Sequence, residues 1–536
     1  MKHLKTIFLL AILSNFINIA KAQLSEGGIP VSFQEASQFV PEFVVMPPVN
    51  NSYEALLESK ADFHKKLKFA KPFSLNITPK TDGQWLETKE GKIWIWAAYS
   101  PNAFSLNLIF ENFIIPPKAK LFIYNEERTE ILGAFTSENV NELGTLAVAP
   151  LRGDKIIVEY YEPNGTDFNG NFTITQLAHD YIGVFRLLNQ KDGQFGLSED
   201  CQVDINCDLG DDHQVEKHSV CRIIISGMYL CSGALINNQR MDATPYFLTA
   251  NHCVEDNQQA GQTVFYFNYE SPSCDGVDGS TDQTLSGALM RATISNIDFA
   301  LLEIIDEIPT YFYPYFAGWN ATEDIEYEAF CIHHPMGDVK KISYTANQPA
   351  TATWNGTEPL DPNTHWKIND WTFGATEGGS SGSPLFDINK RIIGDLTGGS
   401  SNCAAPYNDY FSKISSAWNN YPYEITSLKP WLDPDDTGIL ILNGFDPQNI
   451  GIQNSISENS FSVYPNPVND VLEISSDVYA EDYTIKIFDI TGKNVFDKSN
   501  NFSSVTISTR EFSEGIYFLQ ITTKQGNLCK KISVIH

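Results

Sequence analysis

No cysteine occurs between residues 23 and 200. Eight lie between Cys201 and Cys403, and the ninth is Cys529. Disulfides can therefore brace the middle of the chain but not its flanks. No Cys-x-x-Cys pair occurs, so the usual ligand spacing of a structural zinc site is missing. Basic charge is scarce. Against 66 Asp and Glu stand 36 Lys and Arg, for a formal net charge of -30. Such a chain repels phosphate backbones, which excludes nucleic acid as a partner. A negative field favours basic substrates instead. Long apolar runs are also lacking. The one near the N-terminus, Thr6 to Leu13, follows Lys2 and Lys5, precedes Ala20-Lys21-Ala22, and is interrupted beyond its end by Asn15 and Asn18. It is too short to span a bilayer and reads as a signal peptide over residues 1–22. The chain is thus expected to be exported to a compartment where disulfides form.

What is present points to several β domains. A chain of 536 residues exceeds one ordinary core. The first region, 23–191, opens with a polar stretch and an expected helix from Tyr53 to Leu67. Short β-rich runs follow: Lys92-Ile93-Trp94-Ile95-Trp96, Leu106-Asn107-Leu108-Ile109-Phe110, Lys120-Leu121-Phe122-Ile123-Tyr124 and Lys155-Ile156-Ile157-Val158-Glu159-Tyr160. Their turn-punctuated spacing predicts an antiparallel β-sandwich. A sugar-binding module and a pro-region both fit, and the second is the simpler reading. The region 192–446 is also β-rich, with Leu301-Leu302-Glu303-Ile304-Ile305 and Arg391-Ile392-Ile393-Gly394-Asp395-Leu396 as buried strands. A polar linker, 447–460, leads to a small β module at 461–536. The whole is expected to be all-β.

Three segments of the middle region carry chemistry. His252 follows an apolar strand in Phe247-Leu248-Thr249-Ala250-Asn251-His252-Cys253. Asp298 precedes one in Asn296-Ile297-Asp298-Phe299-Ala300-Leu301. Ser381 lies in the turn Gly378-Gly379-Ser380-Ser381-Gly382-Ser383-Pro384. Each alone is a modest signal; together, in the order His, Asp, Ser, they form a candidate triad. A serine hydroxyl needs a base to take its proton as it attacks. His252 can be that base, since imidazole titrates near neutral pH. Asp298 would fix the ring's tautomer. The amides of Gly379 and Ser381 would form the oxyanion hole. His333-His334 is a candidate metal pair, but no third ligand accompanies it. Neither metal nor cofactor is expected.

The tail motifs Phe461-Ser462-Val463-Tyr464-Pro465-Asn466-Pro467, Asp489-Ile490-Thr491-Gly492-Lys493 and Gly515-Ile516-Tyr517 resemble the C-terminal sorting domain of type IX secretion in Bacteroidetes. That resemblance implies export across the outer membrane by the type IX machinery, and removal of the tail. The His252 and Ser381 motifs are similar to the lysyl endopeptidase branch of chymotrypsin-like serine proteases. So are Cys201-Gln202-Val203-Asp204-Ile205-Asn206-Cys207, Cys231-Ser232-Gly233, Ile332-His333-His334-Pro335 and Trp431-Leu432-Asp433-Pro434. This second resemblance implies two six-stranded β-barrels with the triad between them. It implies the disulfides Cys201–Cys403, Cys207–Cys274 and Cys231–Cys253, and leaves Cys221 and Cys331 undecided. It makes Asp409 the anion of the primary pocket, which would pair with Lys or Arg of a protein or peptide substrate. Trp371 fits the family's pocket tryptophan with a one-residue gap. Thr397 stands where the family has a histidine, a departure that puts strict lysine preference in question. The resemblance further implies a zymogen, with self-cleavage after Lys191. Ser380 stands where many trypsin-like enzymes carry the aspartate that receives a new N-terminus, so that route of activation is not expected. The resulting expectation is a secreted, monomeric serine endopeptidase. The alternative is a catalytically silent surface adhesin on the same fold.

Overall fold

The computed structural model describes residues 24–33, 41–59, 66–184, 197–356, 359–448, 461–476, 483–490, 493–500, 504–523 and 526–536. The signal segment, Lys191 and nearly all of the 447–460 linker lie outside the described residues. The chain forms two compact units, Met1–Phe445 and Asp446–His536, and both β-rich regions of the first 446 residues fall essentially within the first.

The N-terminal region is a sandwich of two sheets. One runs in the order Phe43–Val45, Gly91–Tyr99, Lys155–Pro163, Lys120–Asn125, Ile131–Phe135, with Gln84–Glu87 also on Gly91–Tyr99. The other runs Leu151–Arg152, Ser105–Ile114, Asn171–Asp180, Ala70–Ile77, with Leu146–Ala147 also on Ser105–Ile114. Side chains alternate across a strand. Along Gly91–Tyr99, Trp94, Trp96 and Ala98 face the inter-sheet core, while Ile93, Ile95 and Ala97 face a second, smaller one. Both faces are covered, which explains an apolar run without polar alternation.

The helix expected from Tyr53 to Leu67 is shorter in the structure. It spans Asn51–Glu58, capped by the Asn50 side chain, and buries none of its residues. With no face to bury, it is held by its cap and by polar ties from Asn51 to His179, Glu54 to Lys71 and Glu58 to the Lys68 amide. Leu67 instead belongs to a short strand, Leu67–Lys68, that pairs antiparallel with Leu230 and Tyr229 of the second region. There it is nearly buried, a gain that outweighs helical propensity. The inter-sheet core also continues past the sandwich. Ile224, Leu230, Val264, Tyr266, Tyr269 and Val339 of the second region belong to it.

The second region is a double β-barrel. Its first sheet runs Thr284–Ser286, Thr263–Tyr266, Val220–Ile225, Tyr229–Leu235, Tyr246–Thr249, Phe299–Ile304, Ala288–Ile294, and gains Leu67–Lys68 as an eighth strand. Its second sheet has ten strands, among them Ala329–His333, Pro384–Asp387, Arg391–Gly399, Asp409–Lys413 and His365–Ile368 in hydrogen-bonded order. Both sheets exceed the six strands expected, because short edge strands join each. Adjacent residues divide between the cores: Phe247 packs inside the first barrel, Leu248 between the two. Trp366, Trp371, Leu396 and Phe411 share the core of the second barrel. The disulfides are Cys201–Cys403, Cys207–Cys274 and Cys231–Cys253. Cys221 and Cys331 are free and buried.

The tail unit packs a three-stranded sheet and a four-stranded sheet around its own core, which includes Leu472, Ile487, Leu519 and Ile532.

Candidate active site

His252 lies in the turn that leaves the buried strand Tyr246–Thr249. The amides of Cys253 and Val254 close that turn on the Ala250 carbonyl, and the Cys231–Cys253 disulfide ties it to the neighbouring strand. Asp298 enters the Phe299–Ile304 strand with φ +69, a left-handed conformation that Asp tolerates better than most residues. In this position it meets His252 twice. Oδ1 accepts the His252 amide at 2.9 Å, and Oδ2 lies 2.8 Å from Nδ1. An ionised carboxylate only accepts, so Nδ1 carries the proton and Nε2 is left as the base. The Asp298 side chain is 7% exposed and that of His252 20%, so the ring opens on solvent and its partner does not.

Ser381 sits in a turn that only glycine permits at two points. Gly379 has φ +88 and Gly382 φ +78. A Cβ on Gly382 would meet Thr249 Oγ1 at 2.1 Å and the Ala250 amide nitrogen at 2.9 Å, which presses the serine turn onto the chain leading to His252. The Ser232 amide donates to the Ser381 carbonyl at 2.8 Å and its hydroxyl to the Gly379 carbonyl at 3.0 Å. Among the described residues, neither the Gly379 nor the Ser381 amide donates to a protein acceptor. No hydrogen bond joins Ser381 Oγ to His252 Nε2 either; Cys253 Sγ lies 3.8 Å from that nitrogen. The His252–Asp298 pair is assembled, and the Ser381 turn packs onto the chain that leads to it without a hydrogen bond to the ring.

His333 and His334 hold the turn from behind. His333 Nδ1 lies 2.8 Å from Ser380 Oγ and its Nε2 3.0 Å from Ser343 Oγ. Burial pushes the His333 ring down to about 3, so it stays neutral. His334 Nδ1 donates to the Asp338 carbonyl at 2.9 Å. Arg222 is fully buried, packs over Tyr269 and donates to the Gly337 carbonyl at 2.8 Å. That fixes the loop on which Gly379 packs. Among the described residues, each close group of three candidate metal ligands contains a disulfide cysteine. None therefore offers three free donors.

Asp409 opens the Asp409–Lys413 strand, paired with Ile368 on one side and Gly399 on the other. It is fully buried. Trp371 Nε1 donates to its Oδ2 at 2.6 Å, so the structure brings these two expected residues together. Burial pushes the Asp409 carboxyl up to about 6, against hydrogen bonds from Ser401, Trp371 and Thr376 that pull it down. Thr397 takes a different partner. Its Oγ1 lies 3.1 Å from Nε2 of His365, a buried residue of the His365–Ile368 strand, whose ring burial lowers to about 4. Thus a histidine does stand at the departure from the family pattern, supplied by another strand.

Sequence reasoning misses four residues here: His365, Thr376, Ser401 and Asp395. Burial, and then the nearby Asp298 charge, holds the Asp395 carboxyl well above the usual carboxylate range. All four arrive by strand register or loop packing, for which no local motif exists.

The N-terminal sandwich also reaches this site. Lys66 Nζ donates to the Cys253 carbonyl at 3.3 Å, to Glu255 at 3.1 Å and to Gln259 at 3.2 Å, and lies over the Tyr229 ring. A Cβ on Gly378 would touch Leu67 at 3.4 Å. The adjacent Lys66 and Leu67 thus contact the turn of His252 and the turn of Ser381, respectively.

The paired His252 and Asp298, with the glycine-bounded turn of Ser381 packed onto the chain that leads to them, are the residue types of a Ser-His-Asp catalytic triad. Residues 195–412 match the family model described as lysyl endopeptidase, C-terminal domain, and residues 462–535 match that of the secretion system C-terminal sorting domain. The chain accordingly resembles the lysyl endopeptidases and carries a type IX sorting tail, which directs export to the cell surface or extracellular space. A lysyl endopeptidase of Pseudomonas aeruginosa is 29% identical over 292 residues, covering 50% of this chain and 61% of that protein. The match therefore spans less than two thirds of that relative's length. Among solved structures, the active form of a protease from M. tuberculosis aligns with TM-score 0.28 and 16% identity, over 38% of this chain and 80% of that one. A Glu endopeptidase aligns with TM-score 0.25 and 17% identity, over 37% and 85%. Human heparin binding protein aligns with TM-score 0.27 and 14% identity, over 41% and 92%.

Proposed function

We propose that the chain is a secreted serine endopeptidase that cleaves peptide bonds after lysine and is made as a zymogen. The observation that carries this reading is the His252–Asp298 pair, closed at 2.8 Å, with the Ser381 turn packed onto the strand that leads to it. In the proposed reaction Ser381 Oγ attacks the scissile carbonyl as its proton passes to His252 Nε2. The carbonyl oxygen takes the negative charge and is met by the Gly379 and Ser381 amides, each worth about 3 kcal/mol of transition-state stabilisation. His252 then returns the proton to the leaving amine. Water enters by the same route in reverse and frees the acyl group. Asp298 holds the tautomer and balances the imidazolium. Asp409 receives the substrate ammonium.

Zymogen character is supported by the Leu67–Lys68 strand. It occupies the barrel edge beside both catalytic turns, and the Ser381–His252 hydrogen bond is absent in its presence. In this reading residues 23–191 are the pro-region, 192–446 the peptidase and 461–536 the sorting tail. Self-cleavage after Lys191 makes Asp192 the mature N-terminus, which N-terminal sequencing of the secreted enzyme checks. The unengaged serine also favours a second reading, a silent surface binding protein on a protease fold. One experiment decides. Wild type and Ser381→Ala are incubated with peptides that differ only in Lys, Arg or Leu at the cleaved position. Cleavage after Lys by wild type alone is expected. Equal activity in the two proteins overturns the serine mechanism, and no cleavage by mature wild type favours the silent protein.

A further inference from the structure

Asp409 has one carboxylate oxygen fully engaged and the other free. Oδ2 accepts from Trp371 Nε1 at 2.6 Å, Thr376 Oγ1 at 2.8 Å and Ser401 Oγ at 2.6 Å. The Thr376 amide donates to Ser401 Oγ at 3.0 Å, which leaves that hydroxyl to direct its own proton at an acceptor. The Thr376 carbonyl is one candidate, at 3.1 Å, but Oδ2 is nearer and charged. All four residues are buried. Oδ1 is equally buried and has no hydrogen-bond partner. It faces Gly399, where a Cβ would meet it at 2.0 Å. Any side chain at that position would fill the space in front of Oδ1.

The two basic side chains ask different things of a carboxylate. A guanidinium is a rigid fork that binds best with two parallel N–H donors on two oxygens. An ammonium is a point charge whose three donors rotate about the Cε–Nζ bond, so one oxygen suffices. A carboxylate oxygen has about two lone-pair sites. With three donors already on Oδ2, the second prong of the fork finds no acceptor. It would stay desolvated and unpaired, which is costly in a buried site.

We propose that Trp371, Thr376 and Ser401 set the choice of lysine over arginine, by saturating Asp409 Oδ2 and presenting Oδ1 alone to the substrate. This rests on the reading of Asp409 as the pocket anion. The three are positioning residues, which act on the substrate only through Asp409.

The test uses mature enzyme and a pair of peptides that differ only in Lys or Arg at the cleaved position, with kcat and KM measured separately. Wild type prefers Lys. Thr376→Val and Ser401→Ala each remove one donor from Oδ2. Each is expected to raise the Arg-to-Lys ratio of kcat/KM by about tenfold, the gain falling in KM for the Arg peptide. Thr376→Ser restores the hydroxyl and with it the wild-type ratio. A serine-reactive probe counts folded sites in each preparation, so partial misfolding lowers the count without moving the ratio. Should one donor variant yield no folded sites, the other and Trp371→Phe read the same ratio. A wild type that cleaves after Arg as readily as after Lys overturns the proposal. So does a ratio that stays put in the folded donor variants, or one that shifts as far in Thr376→Ser. Asp409→Asn separates this from the reading beneath it. If that variant still prefers Lys, Asp409 is not the pocket anion. If it loses Lys and Arg alike while the donor variants leave the ratio unmoved, only the present proposal falls.

Discussion

Asp409 shows what burial does to a single residue. Its carboxyl rises from 3.8 to about 6, so the folded protein holds this proton more tightly than the unfolded chain. The sign follows: its contribution to stability is fully present below pH 4 and is lost as the pH rises through about 6. Function runs the other way, because only the ionised form pairs with a substrate ammonium. The ratio of kcat/KM for a Lys peptide to that for a Leu peptide is therefore expected to fall as the pH drops through about 6. The ratio cancels the catalytic steps common to both substrates, and a flat ratio between pH 5 and 8 contradicts the role of Asp409. Residues differ in how legible they are from sequence. His252 and Ser381 stand in local motifs whose glycines and small residues carry their own explanation. Asp298 and Asp409 are readable only through a family likeness, since an aspartate before a strand is commonplace. Thr376, Ser401, His365 and Asp395 are not readable at all. They become neighbours through pairings such as Gly399 with Asp409, and a shift of one residue in register would undo them.

At the scale of elements, strands are better forecast than the pieces that join them. The runs Lys92 to Trp96 and Arg391 to Leu396 are strands in the structure because both their faces are buried. The Tyr53 to Leu67 helix is misjudged at its end because Leu230, 163 residues away, claims Leu67 as a strand partner. That docking suggests a direct test. In a precursor kept intact by Lys191→Ala, Leu67→Asp places an uncompensated charge against Leu230 and the serine turn. Labelling of Ser381 by a serine-reactive probe is expected to rise about tenfold over the Leu67 precursor. Unchanged labelling contradicts a restraining role for this strand. The Cys231–Cys253 bridge is a second element with a measurable part. It closes 22 residues around the His252 turn, so replacing both cysteines with alanine is expected to cost about 3 kcal/mol in urea unfolding. A larger fall in kcat than in 1/KM would accompany it.

The molecule as a whole joins parts with different fates. The sorting tail has its own core and forms its own unit, so deleting residues 461–536 is expected to leave peptide hydrolysis by purified enzyme unchanged while abolishing export from the cell. Lost hydrolysis with intact folding contradicts that division. The N-terminal sandwich differs, since its core runs on into the first barrel through Ile224, Leu230, Val264 and Tyr266. In the proposed reading that shared core makes it a folding partner of the barrel. The signal-peptide pattern and the sorting motifs point to export before any fold is drawn. The central claim is that Ser381, driven by His252, is the nucleophile. Its most direct test is mass spectrometry of the mature enzyme after treatment with a fluorophosphonate. One adduct, on the peptide that contains Ser381, is predicted, and none in His252→Ala. An active enzyme that takes no adduct, or takes it on another residue, would contradict the account.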